Sequence, residues 1–185
     1  DMGFDASISG YTTTLNCIKS GYPWRESITS LLGFCDEVCI ADGGSTDGTW
    51  EELQSWAEKE EKLVIYQNEI DLEDPRFAVK SDGLLKALAR SMCTKEFCWQ
   101  MDADEIVHED DYEKVKSLCV QFQNGLDLLA MPVIEYWGGP EKVRVDINPW
   151  KWRISRNKSH ITHGPPAHLR RYDENGELYC AKGTD

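Results

Sequence analysis

Two short, mostly apolar runs, Glu37 to Ala41 (EVCIA) and Phe97 to Met101 (FCWQM), each stop at an aspartate, Asp42 and Asp102, 60 positions apart. Brief apolar runs that end in polar turns are what a parallel strand buried on both faces requires. Helix-like and strand-like stretches alternate around them. Asp5 to Leu15 is rich in β-branched and small residues and reads as a first strand. Pro23 suits the first residue of a helix running to Leu32. Thr49 to Glu60 places Trp50, Leu53, Trp56 and Ala57 on one helical face, and Leu63 to Gln67 reads as a strand. A polar loop, Asn68 to Arg76, precedes a helical pattern from Phe77 to Met92. After FCWQM come a helix over Asp110 to Phe122 and an apolar run from Leu128 to Tyr136. This order predicts an α/β fold, a Rossmann-like three-layer α/β/α arrangement with a mostly parallel central sheet. From Trp137 onward, glycines and prolines punctuate shorter strands, so a small irregular β region is expected there. Asn175-Gly176 suggests a hairpin turn.

The 185 residues fit one domain with a sizeable core. The expected division is a ligand-binding half over 1–105 and a second half over 106–185. A start at Asp1 rather than Met is what a piece of a longer protein would show. No apolar run nears the roughly 20 residues that span a bilayer, and no leader pattern opens the chain. Residues 1–140 carry 11 Lys and Arg against 27 Asp and Glu, a balance of −16, while residues 141–185 carry 9 against 6, or +3. An acidic body argues against nucleic acid as a partner, because phosphates need a basic stripe. The seven cysteines form no CxxC pair, and several lie in apolar segments as small hydrophobes. That pattern points to a reducing, cytoplasmic setting.

In open α/β sheets, ligands sit beyond the carboxyl ends of the strands. Asp42 and Asp102 both fall there, which directs them toward one crevice. The turn Gly43-Gly44-Ser45-Thr46-Asp47-Gly48-Thr49 is not a P-loop, since Gly48 stands where lysine is needed. Asp42 beside it suits the hydrogen-bond donors of a ribose or a base edge better than it suits phosphate. Asp102 and Asp104 carry the stronger signal. Two carboxylates repel a diphosphate directly, but with Mn²⁺ or Mg²⁺ between them the cation bridges carboxylate and phosphate oxygens. It also neutralises charge on a departing diphosphate. An EF-hand is excluded, because Val107 occupies the position that needs glycine.

Thr14-Leu15-Asn16, GFCDEVCIADGGSTDGT, Lys80-Ser81-Asp82-Gly83-Leu84 and MDADE together resemble the family 2 glycosyltransferases of GT-A fold, over roughly residues 5 to 115. The resemblance implies a glycosyltransferase with a DxD motif and a nucleotide-sugar donor, a UDP-sugar favoured. It further implies a divalent metal, transfer with inversion, and a hydroxyl acceptor on a glycan, lipid or protein. It assigns Thr14, Asn16, Asp42 and Gly44 to the nucleoside side and Lys80 to the diphosphate, with Lys86 as a rival. On the same resemblance Asp102 would contact nucleotide and metal, and Asp104 would be the direct metal ligand. Some relatives complete the metal shell with a late histidine, which here would be His163 or His168.

The chain departs from the family pattern in two places. Gly43 stands where many members have a second acid, and no clear match exists for the Glu-Asp pair that holds the general base. Glu135, at the end of the run after the DxD helix, is the best-placed carboxylate for that task, with Asp146 and Asp173 as competitors. Arg170 and Arg171 could pair with a diphosphate. Trp137, Trp150 and Trp152 could stack on an acceptor sugar or simply pack in the core. Two other classes compete. A haloacid-dehalogenase-like phosphatase would use Asp102 as nucleophile and Asp104 as acid/base, but leaves DGGSTDGT unexplained. A non-catalytic sugar-nucleotide-binding domain would need no base.

Overall fold

The structure, a computed structural model, describes residues 6–71, 73–74, 81–122, 125–164 and 169–176. Its first strand, β1 (Ile8–Thr14), is followed by a short helix α1 (Cys17–Ser20) and by α2 (Trp24–Phe34). Then come β2 (Glu37–Asp42), α3 (Thr49–Ala57), β3 (Leu63–Gln67), α4 (Asp82–Ser91) and β4 (Phe97–Gln100). A single 3₁₀ turn at Glu109–Asp111 leads into α5 (Tyr112–Val120), then β5 (Leu128–Pro132) and β6 (Trp150–Arg156). The short strands β7 (Ile161–His163) and β8 (Leu169–Arg171) come last.

Six strands form one sheet in the order β3-β2-β1-β4-β6-β5, and β7 pairs with β8 in a second, two-stranded sheet. The pairings β1 with β2, β1 with β4 and β2 with β3 are parallel, whereas β4–β6 and β5–β6 are antiparallel. The chain winds outward from β1 through β2 to β3, then crosses to the other side of β1 to lay down β4. That reversal leaves a crevice at the carboxyl ends of β1 and β4.

Strand alternation sorts the side chains into two cores, giving the expected three layers. Ile8, Val38, Ile40, Phe97 and Trp99 face α2, α3 and α5, where Trp24, Ile28, Leu31, Leu53 and Val115 meet them. Tyr11, Cys39, Ala41 and Cys98 face the other way, against Leu85 and Ala89 of α4. Trp24, Ile28 and Leu31 are each 0% exposed. Burying a side chain of that size contributes roughly 1.5–3 kcal/mol, which commits α2 to its position on the sheet. Six described cysteines are buried free thiols. Burial pushes the thiol of Cys119 up to about 12, so it packs as a hydrophobe.

Arg90 fastens the second sheet to this frame. Its Nε donates to Ile161 O at 2.6 Å, its Nη1 to Ser155 Oγ at 2.8 Å, and its Nη2 to Arg156 O at 2.9 Å. One buried guanidinium on α4 thus holds β6 and β7 together.

Several expectations shift at their ends. The helix expected to Glu60 stops at Ala57, and the strand expected to Tyr136 stops at Pro132; Val133 N still donates to Pro149 O at 2.8 Å, but Pro149 has no amide to return the bond. Beyond it, Tyr136 and Val143 form an isolated antiparallel bridge. Gly176 takes φ +78° in a turn whose amide bonds Asp173 O at 3.1 Å. The second arm of that expected hairpin lies outside the described residues. No helix among the described residues is long and apolar enough to cross a membrane.

Candidate active site

The loop after β2 is built around the Asp42 carboxylate, which is 0% exposed. Oδ1 accepts from Thr14 Oγ1 at 2.7 Å and Ser45 Oγ at 2.6 Å. Oδ2 accepts from Ser45 N at 2.8 Å, Gln67 Nε2 at 3.0 Å and Gly44 N at 3.1 Å. Five donors leave the carboxylate no lone pair for a ligand. In this arrangement Asp42 holds the loop together, and a nucleoside contact of the kind expected of it would have to share an oxygen with these donors. The same turn needs Gly44 at φ +94°, where a Cβ would also come 3.2 Å from Glu69 Cα. Asn16 closes the other side in a left-handed conformation, φ 49°. It donates from its amide to Ser45 Oγ at 2.9 Å and accepts from Thr46 N with Oδ1 at 2.9 Å. Thr14, like Asp42, is buried and turned to the loop. The expected nucleoside group is brought together, but largely as a self-bonded frame.

The loop after β4 turns sharply, with Glu105 N donating to Asp102 O at 3.0 Å. Glu105 secures it from beneath. Its Oε2 accepts from Asp102 N at 2.9 Å, and its Oε1 accepts from Lys151 Nζ at 2.6 Å and Arg153 Nη2 at 2.7 Å. Burial works against the Glu105 carboxylate, but Arg153 and Lys151 outweigh it and bring the pKa down to about 2. Arg153, itself buried, also donates to Gln100 O at 2.9 Å. Sequence reasoning missed this clamp. The acid following the DxD and the Lys-x-Arg on one face of β6 are visible in the letters; their pairing across some 46–48 residues is not.

Asp102 Oδ1 takes a salt bridge from Lys86 Nζ at 2.9 Å and a hydrogen bond from Gln100 Nε2 at 3.2 Å. Lys86 also reaches Asp82 Oδ2 at 3.4 Å. Burial disfavours its ammonium, but the carboxylates of Asp102 and Asp82 prevail and hold its pKa above the ordinary lysine value. Asp104 has no ion pair among the described residues. Burial first, then the neighbouring charges of Asp102 and Glu105, push its carboxyl above the usual range. These side chains line a cavity of about 340 Å³ with Thr13, Thr14, Leu15, Tyr22 and Ile70, at the crevice between β1 and β4. That volume lies within the range of small-ligand sites.

Among the described residues, no group of three or more His, Cys, Asp or Glu side chains could hold a metal on protein ligands alone. The donor set still fits a hard divalent cation. Asp104 and Asp102 supply carboxylate oxygens in a crowded acidic corner, and Mg²⁺-type sites take one or two carboxylates, the remaining ligands being phosphate and water.

The other expected residues fall elsewhere. Lys80 and His168 lie outside the described residues. His163 is buried with Nε2 2.7 Å from Tyr11 OH, on the α4 side of the sheet, and does not line the cavity. The structure thus sets His163 apart from Asp102 and Asp104, with its Nε2 engaged by the tyrosine. Glu135 lies past β5, paired with Arg144 Nη1 at 2.9 Å, and is not part of the cavity wall. Arg171 pairs with Asp127 at 3.1 Å. Trp137, Trp150 and Trp152 are 66%, 59% and 46% exposed, so the core-packing alternative does not describe them.

The sequence pattern described as Glycosyl transferase family 2 matches residues 24–158. Among solved structures, the chain is similar to S. aureus TarS residues 1–349 in complex with UDP-GlcNAc, with TM-score 0.58 and 20% identity over 82% of this chain and 45% of that one. It is also similar to the mannosyltransferase PcManGT from Pyrobaculum calidifontis in complex with GDP-Man and Mn²⁺, with TM-score 0.51 and 19% identity over 74% and 37%. The chain thus spans less than half the length of either. No curated protein sequence matches it. The sheet order, the three layers and these likenesses give the GT-A fold, and with a family match across most of its length the chain belongs to glycosyltransferase family 2.

Proposed function

We propose that the chain moves a sugar from a nucleotide-sugar donor, UDP-linked, to a hydroxyl on a glycan, lipid or protein acceptor. Transfer uses Mn²⁺ or Mg²⁺ and inverts the anomeric centre. The observation that carries this reading is the cavity at the β1/β4 crevice, lined by Asp102, Asp104 and Lys86 together with Thr14 and Leu15. The TarS structure with UDP-GlcNAc supports a uridine donor, and the mannosyltransferase with GDP-Man and Mn²⁺ makes GDP the competitor and supports the metal. Family membership removes the phosphatase alternative.

Asp104, with Asp102 beside it, would hold the cation, which when bound supplies positive charge to the leaving diphosphate. Glu105, with Arg153 and Lys151, keeps that loop in place. The Asp42 frame shapes the nucleoside end, with Thr13, Leu15, Tyr22 and Ile70 as walls. Inversion needs a carboxylate to take the acceptor hydroxyl's proton as it attacks the anomeric carbon opposite the diphosphate. Glu135 is our candidate for that base, released from Arg144 to act.

Calorimetric titration of UDP and GDP, each with and without Mn²⁺, against the native chain and Asp104→Ala tests the reading. We expect UDP to bind with Mn²⁺, and the mutant to bind at least about tenfold more weakly, consistent with loss of one charged contact. Failure of both nucleotides to bind with metal present sinks the donor site.

A further inference from the structure

The cavity wall carries three carboxylates, Asp82, Asp102 and Asp104, and one described cation, Lys86. Lys86 Nζ lies between two of them, 2.9 Å from Asp102 Oδ1 and 3.4 Å from Asp82 Oδ2, with its side chain 15% exposed. Asp82 opens α4 and Lys86 comes one turn later, so their (i, i+4) spacing leaves the ammonium a second carboxylate within reach on its own helix. Asp102 has no cation of its own segment beside it, only the Gln100 amide at 3.2 Å. Its contact with Lys86 joins a helix to the loop after β4, and it uses an oxygen that a divalent cation would also seek.

We infer that Lys86 is an exchangeable counter-ion: it holds Asp102 in the free site and passes to the nucleotide's diphosphate once Asp102 and Asp104 hold a divalent cation. This rests on the donor site proposed above. The charges dictate the consequence. A cation binding alone competes with Lys86 for the charge of Asp102 and sits beside a second positive charge. A nucleotide alone meets three carboxylates and one ammonium already engaged. With both present, the aspartates face the cation and Lys86 faces phosphate, so every charge has an opposite. Metal and nucleotide therefore bind cooperatively, and Lys86 is the residue that couples them.

The test is calorimetry on the full chain: Mn²⁺ titrated with and without UDP, and UDP with and without Mn²⁺. It is run for the native protein, Lys86→Met, which keeps the stem and drops the charge, and Lys86→Arg. UDP should tighten native Mn²⁺ binding by about tenfold or more, within the usual range of coupling between sites. Lys86→Met should bind Mn²⁺ alone several-fold more tightly, bind UDP with Mn²⁺ several-fold more weakly, and lose most of the coupling. Lys86→Arg should retain it. If Lys86→Met weakens both ligands together, or changes neither, while native UDP binding stands, the exchange is overturned and the donor site survives. Absence of native UDP binding with metal overturns both. Should Lys86→Met fail to fold, a native coupling factor near one, or its loss in Lys86→Arg, overturns the inference.

Discussion

Asp42 and Asp102 end two strands in the same way, yet their carboxylates meet opposite surroundings. Asp42 is enclosed by five donors from its own loop and neighbouring strands, whereas Asp102 has one long cation and sits at a cavity wall. The letters alone placed both aspartates at strand ends. They did not show how differently the two carboxylates are bonded, because the difference lies in Gln67 and Ser45 side chains converging on one of them. Glu105 shows the same limit from the other side. It reads as one more acid in an acidic run, and only the fold delivers Lys151 and Arg153 to it. Removing a buried charge from such a cluster leaves its partners uncompensated, which costs about 3–5 kcal/mol. Glu105→Gln should lower unfolding stability by about 3 kcal/mol, at the lower end because the amide keeps one acceptor. Urea denaturation measures it. A change below about 0.5 kcal/mol, typical of a surface site, would show that the two cations are satisfied without Glu105.

At the scale of elements, β2 and β4 were legible because burial on both faces demands short, mostly apolar runs, with β2 extending one residue further than expected, to Asp42. β3, at the sheet edge with Val64 and Tyr66 exposed, matches its expected bounds through its β-branched and aromatic residues. The region after Trp137 was not legible, since β6 returns antiparallel between β4 and β5 and alternates buried Arg153 and Ser155 with apolar neighbours. A strand that buries arginine carries no apolar signature, and its partners, Glu105 and Gln100, are far away in the chain. The start of β5 depends on another such node. Asp127 is buried beside Lys158 at 2.9 Å, Arg171 at 3.1 Å and, at 3.9 Å, His160. Burial alone would raise its pKa, but Lys158, then Arg171 and His160, prevail and lower it. A carboxylate with a depressed folded pKa adds stability that is fully present above its unfolded pKa, near about 3.9, and lost as pH falls through the folded value. The native chain should exceed Asp127→Asn by about 2 kcal/mol at pH 7, the worth of a charged hydrogen bond. That advantage should shrink once the pH drops below about 4. Urea midpoints at pH 7, 5 and 3 decide it. An advantage unchanged at pH 3 would place its origin in packing rather than charge.

For the whole molecule, the uneven charge acquires a structural meaning. The basic stretch after residue 140 lies against the acidic body: Lys151 and Arg153 reach Glu105, Arg156 reaches Glu96, and Lys158 and Arg171 reach Asp127. The two halves expected at residue 105 share one sheet, with β6 from the second half beside β4 of the first. The family match likewise runs through both, over residues 24–158. The resemblance read from the GGST and DxD motifs stopped near residue 115, because the chain beyond that point contributes through pairing rather than through a motif. Ending the chain after Pro140 therefore tests how the molecule coheres. It would expose the β4 edge, leave β5 without its only described partner strand, and strip Glu105 and Asp127 of their cations. It would also remove Ile154, 1% exposed, from the larger core. Losing a core side chain of that kind alone costs about 2–5 kcal/mol, a large part of a domain's roughly 5–15 kcal/mol of stability. The truncated chain should lose its cooperative urea transition and bind a dye for exposed apolar surface. A sharp transition near the native midpoint would instead make the basic stretch an appendage, and the donor site would then have to be complete without Lys151 and Arg153.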